Sequence, residues 1–167
     1  GSLPSLRDLA GELERLGADP GPLSPDLVAR AAGRARDLVA STAETVLLHG
    51  DLHHGNVLRS GREGWLAVDP KGFVGDPAFE PGALIRNPGE RLDGLTEAGL
   101  VGLLEERAAL LSDALGLDPG RVLGWTFVQS VLAACWQVED HDGGWEPAVR
   151  LARVLEAVDA GADGAGG

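Results

Sequence analysis

The chain has 167 residues, of which 44% are hydrophobic and 24% are charged, and its formal net charge is −12. This length suits one domain with a substantial core, and the composition is that of a globular chain rather than a disordered one. The negative field repels nucleic acid and anionic membranes, so we expect neither as a partner, and it attracts cations. The simpler alternative is an acidic surface that only keeps the protein soluble.

Neither a membrane span nor an export signal is recognisable in the sequence. No apolar stretch approaches the roughly 20 residues that a spanning helix needs, and the first residues lack a basic start followed by an apolar core. A cytoplasmic location is therefore expected. The single cysteine, Cys135, lies in an apolar run and is predicted to be a buried core residue. The chain contains no Met, which suggests a fragment or an excised domain.

Two amphipathic helices are predicted in the first 45 residues, because leucine and alanine recur there at helical spacing. Their apolar faces consist of Leu6, Leu9, Leu13 and Leu16 in the first helix and Leu27, Ala31, Ala35 and Leu38 in the second. Gly17 is expected to end the first helix, and Ser24-Pro25 to begin the second.

A short β-rich region follows. Strands are predicted at 46–48, 56–59 and 65–68, and the turn 60–64 joins the last two into a hairpin. The remaining sequence is predicted to be helical, so the expected fold class is α+β and mostly helical.

The helical part divides into segments at its capping residues. The predicted segments are a helix over 76–86 weakened by Pro81 and Gly82, a loop over 87–94, a long helix from Thr96 with Leu100, Leu103, Leu104, Ala108, Leu111 and Leu115 inward, a helix from Gly120 to about Val138, and a last helix over 145–160. The helix that ends near Val138 is apolar nearly all round, so it is expected to be central. Residues 161–167 are expected to form a flexible tail.

Polar residues crowd the β-rich region, where a structural loop would not need them. His49 to Asn56 reads His-Gly-Asp-Leu-His-His-Gly-Asn, and Asp69-Pro70-Lys71-Gly72 follows the hairpin. Phosphoryl transfer requires a carboxylate near the attacking hydroxyl and oxygen ligands for Mg²⁺ on the phosphates. Asp51 and Asn56 lie five residues apart in one tight loop, and the hairpin returns Asp69 beside them. The pattern therefore favours phosphoryl transfer.

The same residues resemble a known family. His-x-Asp with an Asn five residues after the Asp matches the protein-kinase catalytic loop. With the later Gly75-Asp76-Pro77, the sequence resembles the aminoglycoside phosphotransferases. The Asp-Pro-Lys-Gly turn and Arg86-Asn87-Pro88 are similar to the branch of streptomycin 6-kinases and hydroxyurea phosphotransferases. The motifs span residues 46 to 88.

The resemblance implies a role for each motif residue. Asp51 would be the catalytic base, and His49 would brace its loop through hydrogen bonds. Asn56 and Asp69 would bind Mg²⁺. Asp76 would support the loop from behind by accepting backbone N–H bonds. The implied reaction moves the γ-phosphate of ATP to a hydroxyl of a small molecule such as streptomycin or a hydroxyurea-like compound.

The sequence departs from the family upstream of His49, where it has neither a Gly-x-Gly-x-x-Gly loop nor a strand lysine. Residues 1–160 are therefore expected to form a kinase-like C-terminal lobe, with the nucleotide-binding N-terminal lobe absent. Trp65, Phe73 and Val74 are expected to lie exposed on the face that such a lobe would cover, which would favour self-association.

Several polar residues have two readings. Lys71 pairs either with a phosphate or acceptor oxygen or only with local carboxylates. Glu139, Asp140 and Asp142 either hold a cationic acceptor or form a solvated helix end. His53 and His54 are expected to fill the loop rather than bind a metal.

Two alternative functions stay open at this point. A binuclear metallophosphoesterase also combines Gly-Asp, His and Gly-Asn motifs, but it needs further histidines on both sides of this segment. An inactive truncated lobe, or a module that binds small molecules without phosphorylating them, is the alternative from outside the enzymes.

Overall fold

The fold is α+β and mostly helical, as predicted. The computed structural model describes residues 3–62, 64–140 and 144–164, and it describes 161–164 by their backbone alone. Over these residues the helices are α1 (Leu6–Gly17), α2 (Pro25–Ala40), α3 (Gly82–Ile85), α4 (Glu90–Asp93), α5 (Glu97–Leu115), α6 (Pro119–Glu139) and α7 (Glu146–Gly164). The strands are β1 (Val46–Leu48), β2 (Val57–Ser60), β3 (Gly64–Ala67) and β4 (Phe73–Gly75).

The core is built around α6, which the sequence places at the centre because it is apolar on nearly every side. Asp118 caps the helix by accepting a hydrogen bond from the Arg121 N–H at 2.7 Å. Most residues from Val122 to Cys135 are buried, and Trp125 is completely so. Helices α2, α3, α5 and α7 all pack against α6. This helix is therefore the frame on which the rest of the chain is positioned.

The two N-terminal helices confirm the amphipathic pattern. All eight predicted apolar residues of α1 and α2 are buried. Ser5 and Asp8 form a capping box at the start of α1, in which each side chain satisfies a backbone N–H of the other residue. Helix α1 packs on α2, and α2 packs on α6, so the apolar faces complete one continuous core.

The strands form two separate antiparallel pairs. Strands β2 and β3 make the predicted hairpin, with Val57 opposite Ala67. Strand β4 pairs with β1 and was not predicted, because a three-residue strand that ends in glycine carries little strand pattern. Its Gly75 lies against α1, where an added Cβ would approach Leu6 Cγ to 2.4 Å. The absence of a side chain at Gly75 therefore allows β4 to lie directly on the helix.

Four details of the helical part differ from the prediction. The helix expected over 76–86 is a short 3-10 turn, Pro77–Phe79, followed by α3, because Pro81 and Gly82 interrupt it. The short helix α4 lies within the expected loop. Leu115 is 57% exposed instead of inward, since it is the last residue of α5. Helix α7 continues to Gly164, so 161–164 are helical, while the rest of the expected tail lies outside the described residues.

The face expected to be apolar is only partly so. Trp65 is 68% exposed on β3, and Leu58 and Leu66 on the same hairpin are also exposed. Phe73 and Val74 are half-buried, because β4 lies between β1 and α1. Of this face, the β2–β3 hairpin is the exposed apolar part, and self-association through it stays a prediction. Within the part of the chain that is described, no helix is long and apolar enough to cross a membrane.

The buried thiol of Cys135 makes the free energy of unfolding depend on pH in the alkaline range. Burial raises its pKa from the ordinary value of 9.0 to about 11. Between these values the unfolded chain loses the thiol proton and the folded chain keeps it, so stability falls as pH rises. We expect a loss of about 2 kcal/mol by pH 11, measured by urea unfolding at a series of pH values.

The control is Cys135→Ala, which lacks the titrating group but leaves Lys71 and every other group in place. Its free energy of unfolding should decline less steeply between pH 9 and 11. Identical pH profiles for the two proteins would contradict the assignment of the effect to Cys135.

Candidate functional site

The loop between β1 and β2 is anchored at its start by Glu80. One carboxylate oxygen of Glu80 accepts the backbone N–H of His49 at 2.6 Å, and the other accepts that of Gly50 at 3.1 Å. A carboxylate that accepts two backbone N–H groups fixes a loop more firmly than a neutral acceptor would. Glu80 therefore determines how the chain enters the segment that carries Asp51.

The ring of His49 braces the same loop from inside. Its Nδ1 lies 3.3 Å from the backbone nitrogen of Asp51, and its Nε2 lies 2.8 Å from the carbonyl oxygen of Val68. Because the Asp51 N–H can only donate, Nδ1 is the acceptor and Nε2 carries the proton that it donates to Val68. The ring thus ties the Asp51 loop to the chain just before Asp69.

Asn56 connects the end of the loop to its beginning. The side chain is 9% exposed, and its Nδ2 donates to the backbone carbonyl of Asp51 at 2.9 Å. Its own backbone carbonyl accepts the N–H of Val68 at 2.9 Å, which continues the β2–β3 pairing by one step. Asp69 is the next residue, so the hairpin register brings its backbone to the end of the loop. The hydrogen bond of Asn56 uses its nitrogen and leaves Oδ1 available as a ligand.

The turn after β3 is held against the loop by its backbone. Asp69 has a φ of 57°, in the left-handed region that few residues other than glycine adopt. The N–H groups of Lys71 and Gly72 both donate to the carbonyl of His49, at 2.8 and 3.1 Å. The Lys71 ammonium lies 3.3 Å from Asp69 Oδ2, and both side chains are largely exposed. Local pairing, one of the two readings of Lys71, is therefore present in this structure.

A pocket of about 230 Å³ opens beside Asp51. Its charged lining residues are Asp51, Lys71 and Arg86, and much of the remaining wall is apolar, including Phe73 and Leu132. Gly50 is required at the rim, because its φ is 83° and an added Cβ would approach the Phe73 ring to 2.4 Å. The pocket therefore combines a carboxylate, two cations and an apolar wall.

The hydrogen-bond partners of Asp76 differ from the predicted ones, which were backbone N–H groups of the loop. Asp76 is buried, and its Oδ2 accepts hydrogen bonds from the Arg121 guanidinium, with Nε at 3.0 Å, and from Trp125 Nε1 at 2.9 Å. Its Oδ1 accepts the N–H of Ala78 at 2.9 Å. The N–H groups at the start of the loop bind Glu80 instead. Asp76 supports the loop indirectly, by fixing the turn that leads to Glu80.

Sequence reasoning did not assign a role to Glu80 or Arg86. Both lie within motif segments, Gly-Asp-Pro-Ala-Phe-Glu and Arg-Asn-Pro, so their positions were visible. Their contacts were not, because the backbone N–H groups bound by Glu80 lie about 30 residues earlier in the chain. The burial of Arg86 likewise depends on how α3 packs.

Two residues of the acidic cluster after α6, Glu139 and Asp140, are not among the residues that line this pocket. Glu139 lies 3.6 Å from Arg15 at the surface. Asp142 lies outside the described residues. His53 Nε2 is 3.9 Å from Asp51 Oδ2. The binding of a cationic acceptor by this cluster therefore stays a prediction.

The chemistry of the donor set fits a magnesium nucleotide better than a metal held by the protein alone. Mg²⁺ usually takes one or two protein oxygens and completes its shell with phosphate and water. Asn56 Oδ1 and the exposed carboxylate of Asp69 are oxygens of this kind. Over the described residues, no three His, Cys, Asp or Glu side chains come together as a metal cluster.

Comparison with known proteins identifies the family. The family described as aminoglycoside/hydroxyurea antibiotic resistance kinase matches residues 1–141, and the chain belongs to it. Streptomycin 3''-kinase of Klebsiella pneumoniae is 39% identical over 135 residues, which are 81% of this chain and 49% of that protein. Streptomycin 6-kinase of Streptomyces glaucescens is 35% identical over 165 residues, 92% of this chain and 53% of that protein.

A relative named for a different acceptor is equally similar. Hydroxyurea phosphotransferase of Kitasatospora aureofaciens is 39% identical over 127 residues, 72% of this chain and 34% of that protein. The chain thus spans about half the length, or less, of the curated relatives that it matches. No solved structure matches it significantly.

The buried Asp76 pair should dominate the stability of the region around the site. Removing the carboxylate in Asp76→Ala leaves the Arg121 guanidinium and the Trp125 N–H without their acceptor. Breaking a buried ion pair in this way costs about 3–5 kcal/mol. We expect this loss in urea unfolding followed by tryptophan fluorescence.

Glu14→Ala is the matched control, because Glu14 pairs with Arg36 on the surface, where both side chains are largely exposed. Its removal should cost less than about 1 kcal/mol. Equal losses for the two variants would show that the Asp76 pair does not hold the fold.

Proposed function

We propose that this chain is the catalytic and acceptor-binding half of a small-molecule kinase, which moves the γ-phosphate of ATP to a hydroxyl group. In this proposal residues 1–160 form a lobe like the C-terminal lobe of protein kinases. The observation that carries the proposal is the hydrogen-bonded unit of His49, Asp51 and Asn56, with Asp69 beside it. The names of the relatives support it independently.

The chemistry assigned to Asp51 is general-base catalysis. Its carboxylate is partly exposed at the pocket, while its backbone N–H and carbonyl are bound by His49 and Asn56. The backbone is therefore held and the carboxylate is free to face a substrate. As the acceptor oxygen attacks the γ-phosphorus, its proton passes to Asp51 and the bond from phosphorus to the leaving oxygen breaks.

The nucleotide side of the site is assigned to Asn56 and Asp69. When bound, Mg²⁺ would supply positive charge at the phosphate oxygens. Asn56 would offer Oδ1, while its nitrogen holds the loop in place. Asp69 would exchange its Lys71 partner for the metal, which frees the Lys71 ammonium for a phosphate or acceptor oxygen.

The acceptor is proposed to be a hydroxylated antibiotic of the streptomycin or hydroxyurea type, since these are the compounds named in the relatives. The apolar wall of the pocket and the carboxylate at its rim suit a small molecule that presents a hydroxyl to Asp51. An intracellular location follows from the proposed use of ATP.

Asp51→Asn tests the central step. The amide keeps the shape of the carboxylate but cannot take the proton, so transfer from [γ-³²P]ATP to streptomycin or hydroxyurea should fall at least about 10²-fold. The assay uses the longest available protein that carries residues 1–167, with nucleotide binding measured in parallel. Nucleotide affinity and thermal stability should change little.

Asp113→Asn serves as the control, since Asp113 is exposed on α5, and it should leave transfer intact. Parallel losses of stability, nucleotide binding and transfer in Asp51→Asn would make Asp51 a structural residue. Full transfer in Asp51→Asn would remove it from the reaction.

A further inference from the structure

Arg86 is an unusual residue for a protein interior. Its Nε is buried, and no hydrogen-bond partner for it exists among the described residues. Buried polar atoms nearly always have partners, and a buried charge without one is costly. The side chain therefore reduces stability in this state, which is common for residues retained for function.

The backbone around Arg86 is firmly held, which fixes the point from which its side chain extends. The backbone N–H of Arg86, which follows the last residue of α3, donates to the carbonyl of Gly82. Arg107 Nη1 donates to the carbonyls on both sides of it, to Ile85 at 2.6 Å and to Asn87 at 3.1 Å. A second arginine is thus used to position the first, and such support is typical of a built binding site.

Arg86 lines the pocket that contains Asp51, and the charge of Asp51 acts on its guanidinium. Arg86 lines that pocket together with Lys71, so two cations accompany one carboxylate in a chain whose net charge is −12. Burial lowers the pKa of Arg86, and the charge of Asp51 opposes that shift only in part. Because Lys71 pairs with Asp69, the cation that this pocket offers to a ligand is Arg86, which suits an anionic group.

We propose that Arg86 holds the anionic phosphoryl group at this site, with its Nε–H, which has no acceptor among the described residues, as one of the donors. This inference rests on the proposed function and extends it. A guanidinium presents N–H donors in a planar fork that matches phosphate oxygens. The acceptors named in the relatives differ, whereas a phosphoryl group is present in every phosphotransfer. Lys71, once released by Asp69, would be a second donor to the same group.

Arg86 is a substrate-contacting residue in this proposal and not a base, because arginine stays protonated. Two species carry the required group: the γ-phosphoryl group of the nucleotide and the phosphate ester of the product. Their shared chemistry is a tetrahedral phosphate oxyanion. Simple probes can therefore represent both sources.

The test observes the Arg86 Nε–Hε signal in the ¹⁵N-labelled chain, assigned by its loss in Arg86→Met. Inorganic phosphate, glycerol phosphate and Mg–ATP are titrated separately. We expect saturable shifts of this signal with inorganic phosphate and with at least one of the other probes. A larger effect of glycerol phosphate indicates the product ester, and a larger effect of Mg–ATP indicates the γ-phosphoryl group.

The variants separate binding from folding. Arg86→Met should bind phosphate about tenfold more weakly or worse, since a charge-assisted hydrogen bond is lost, while its melting temperature is unchanged or higher. Arg62→Met removes an exposed arginine of the hairpin turn and should change neither quantity. An Arg86 signal that no probe shifts would overturn the inference, as would unchanged phosphate affinity in Arg86→Met.

The experiment distinguishes a failure of this inference from a failure of the proposed function. Phosphate binding at Arg86 without any transfer activity would contradict the proposed function and leave this inference standing. Transfer that depends on Asp51, with an Arg86 signal that does not respond to phosphate, would overturn this inference alone.

Discussion

The buried contact between Asp76 and α6 is the interaction on which the site depends. Arg121 joins the Asp76 carboxylate to the carbonyl of Leu38 and the hydroxyl of Ser41 at the end of α2, and Trp125 donates to the same carboxylate. One side chain thus fixes three parts of the chain to each other. Four residues beyond Asp76, Glu80 anchors the loop that carries Asp51. The contacts from α6 through Asp76 and Glu80 therefore fix the position of the polar loop, although the strands beside it are short.

The elements with regular patterns were predictable from the sequence. The faces of α1, α2 and α6 follow from helical spacing and capping residues, and packing confirms them. Strand β4 was not predictable, since its pairing with β1 is a long-range contact of three residues. The interruption of the helix before α3 was indicated in the sequence only by Pro81 and Gly82.

The site divides in a similar way. The neighbourhood of Asp51, Asn56 and Asp69 follows from loop length and hairpin register, which are local properties. The roles of Glu80 and Arg86 depend on which groups the fold brings to them, and no local pattern encodes that. The partners of Asp76 were mispredicted for the same reason, because its partner Arg121 lies 45 residues away.

Charge is distributed so that the pocket differs from the whole surface. A net charge of −12 would repel a nucleotide at long range, yet this repulsion between exposed charges is screened beyond about 8 Å at physiological salt. Lys71 is the single lysine of the chain. Together with Arg86 it lines the pocket that contains Asp51, the proposed base. Within the screening distance, these two cations determine the field that a phosphate meets. The Lys71–Asp69 pair is exposed, so it is weak and a ligand that binds either partner can replace it at little cost. In the proposed function, a magnesium nucleotide would engage both partners at once, with the metal at Asp69 and a phosphate oxygen at Lys71.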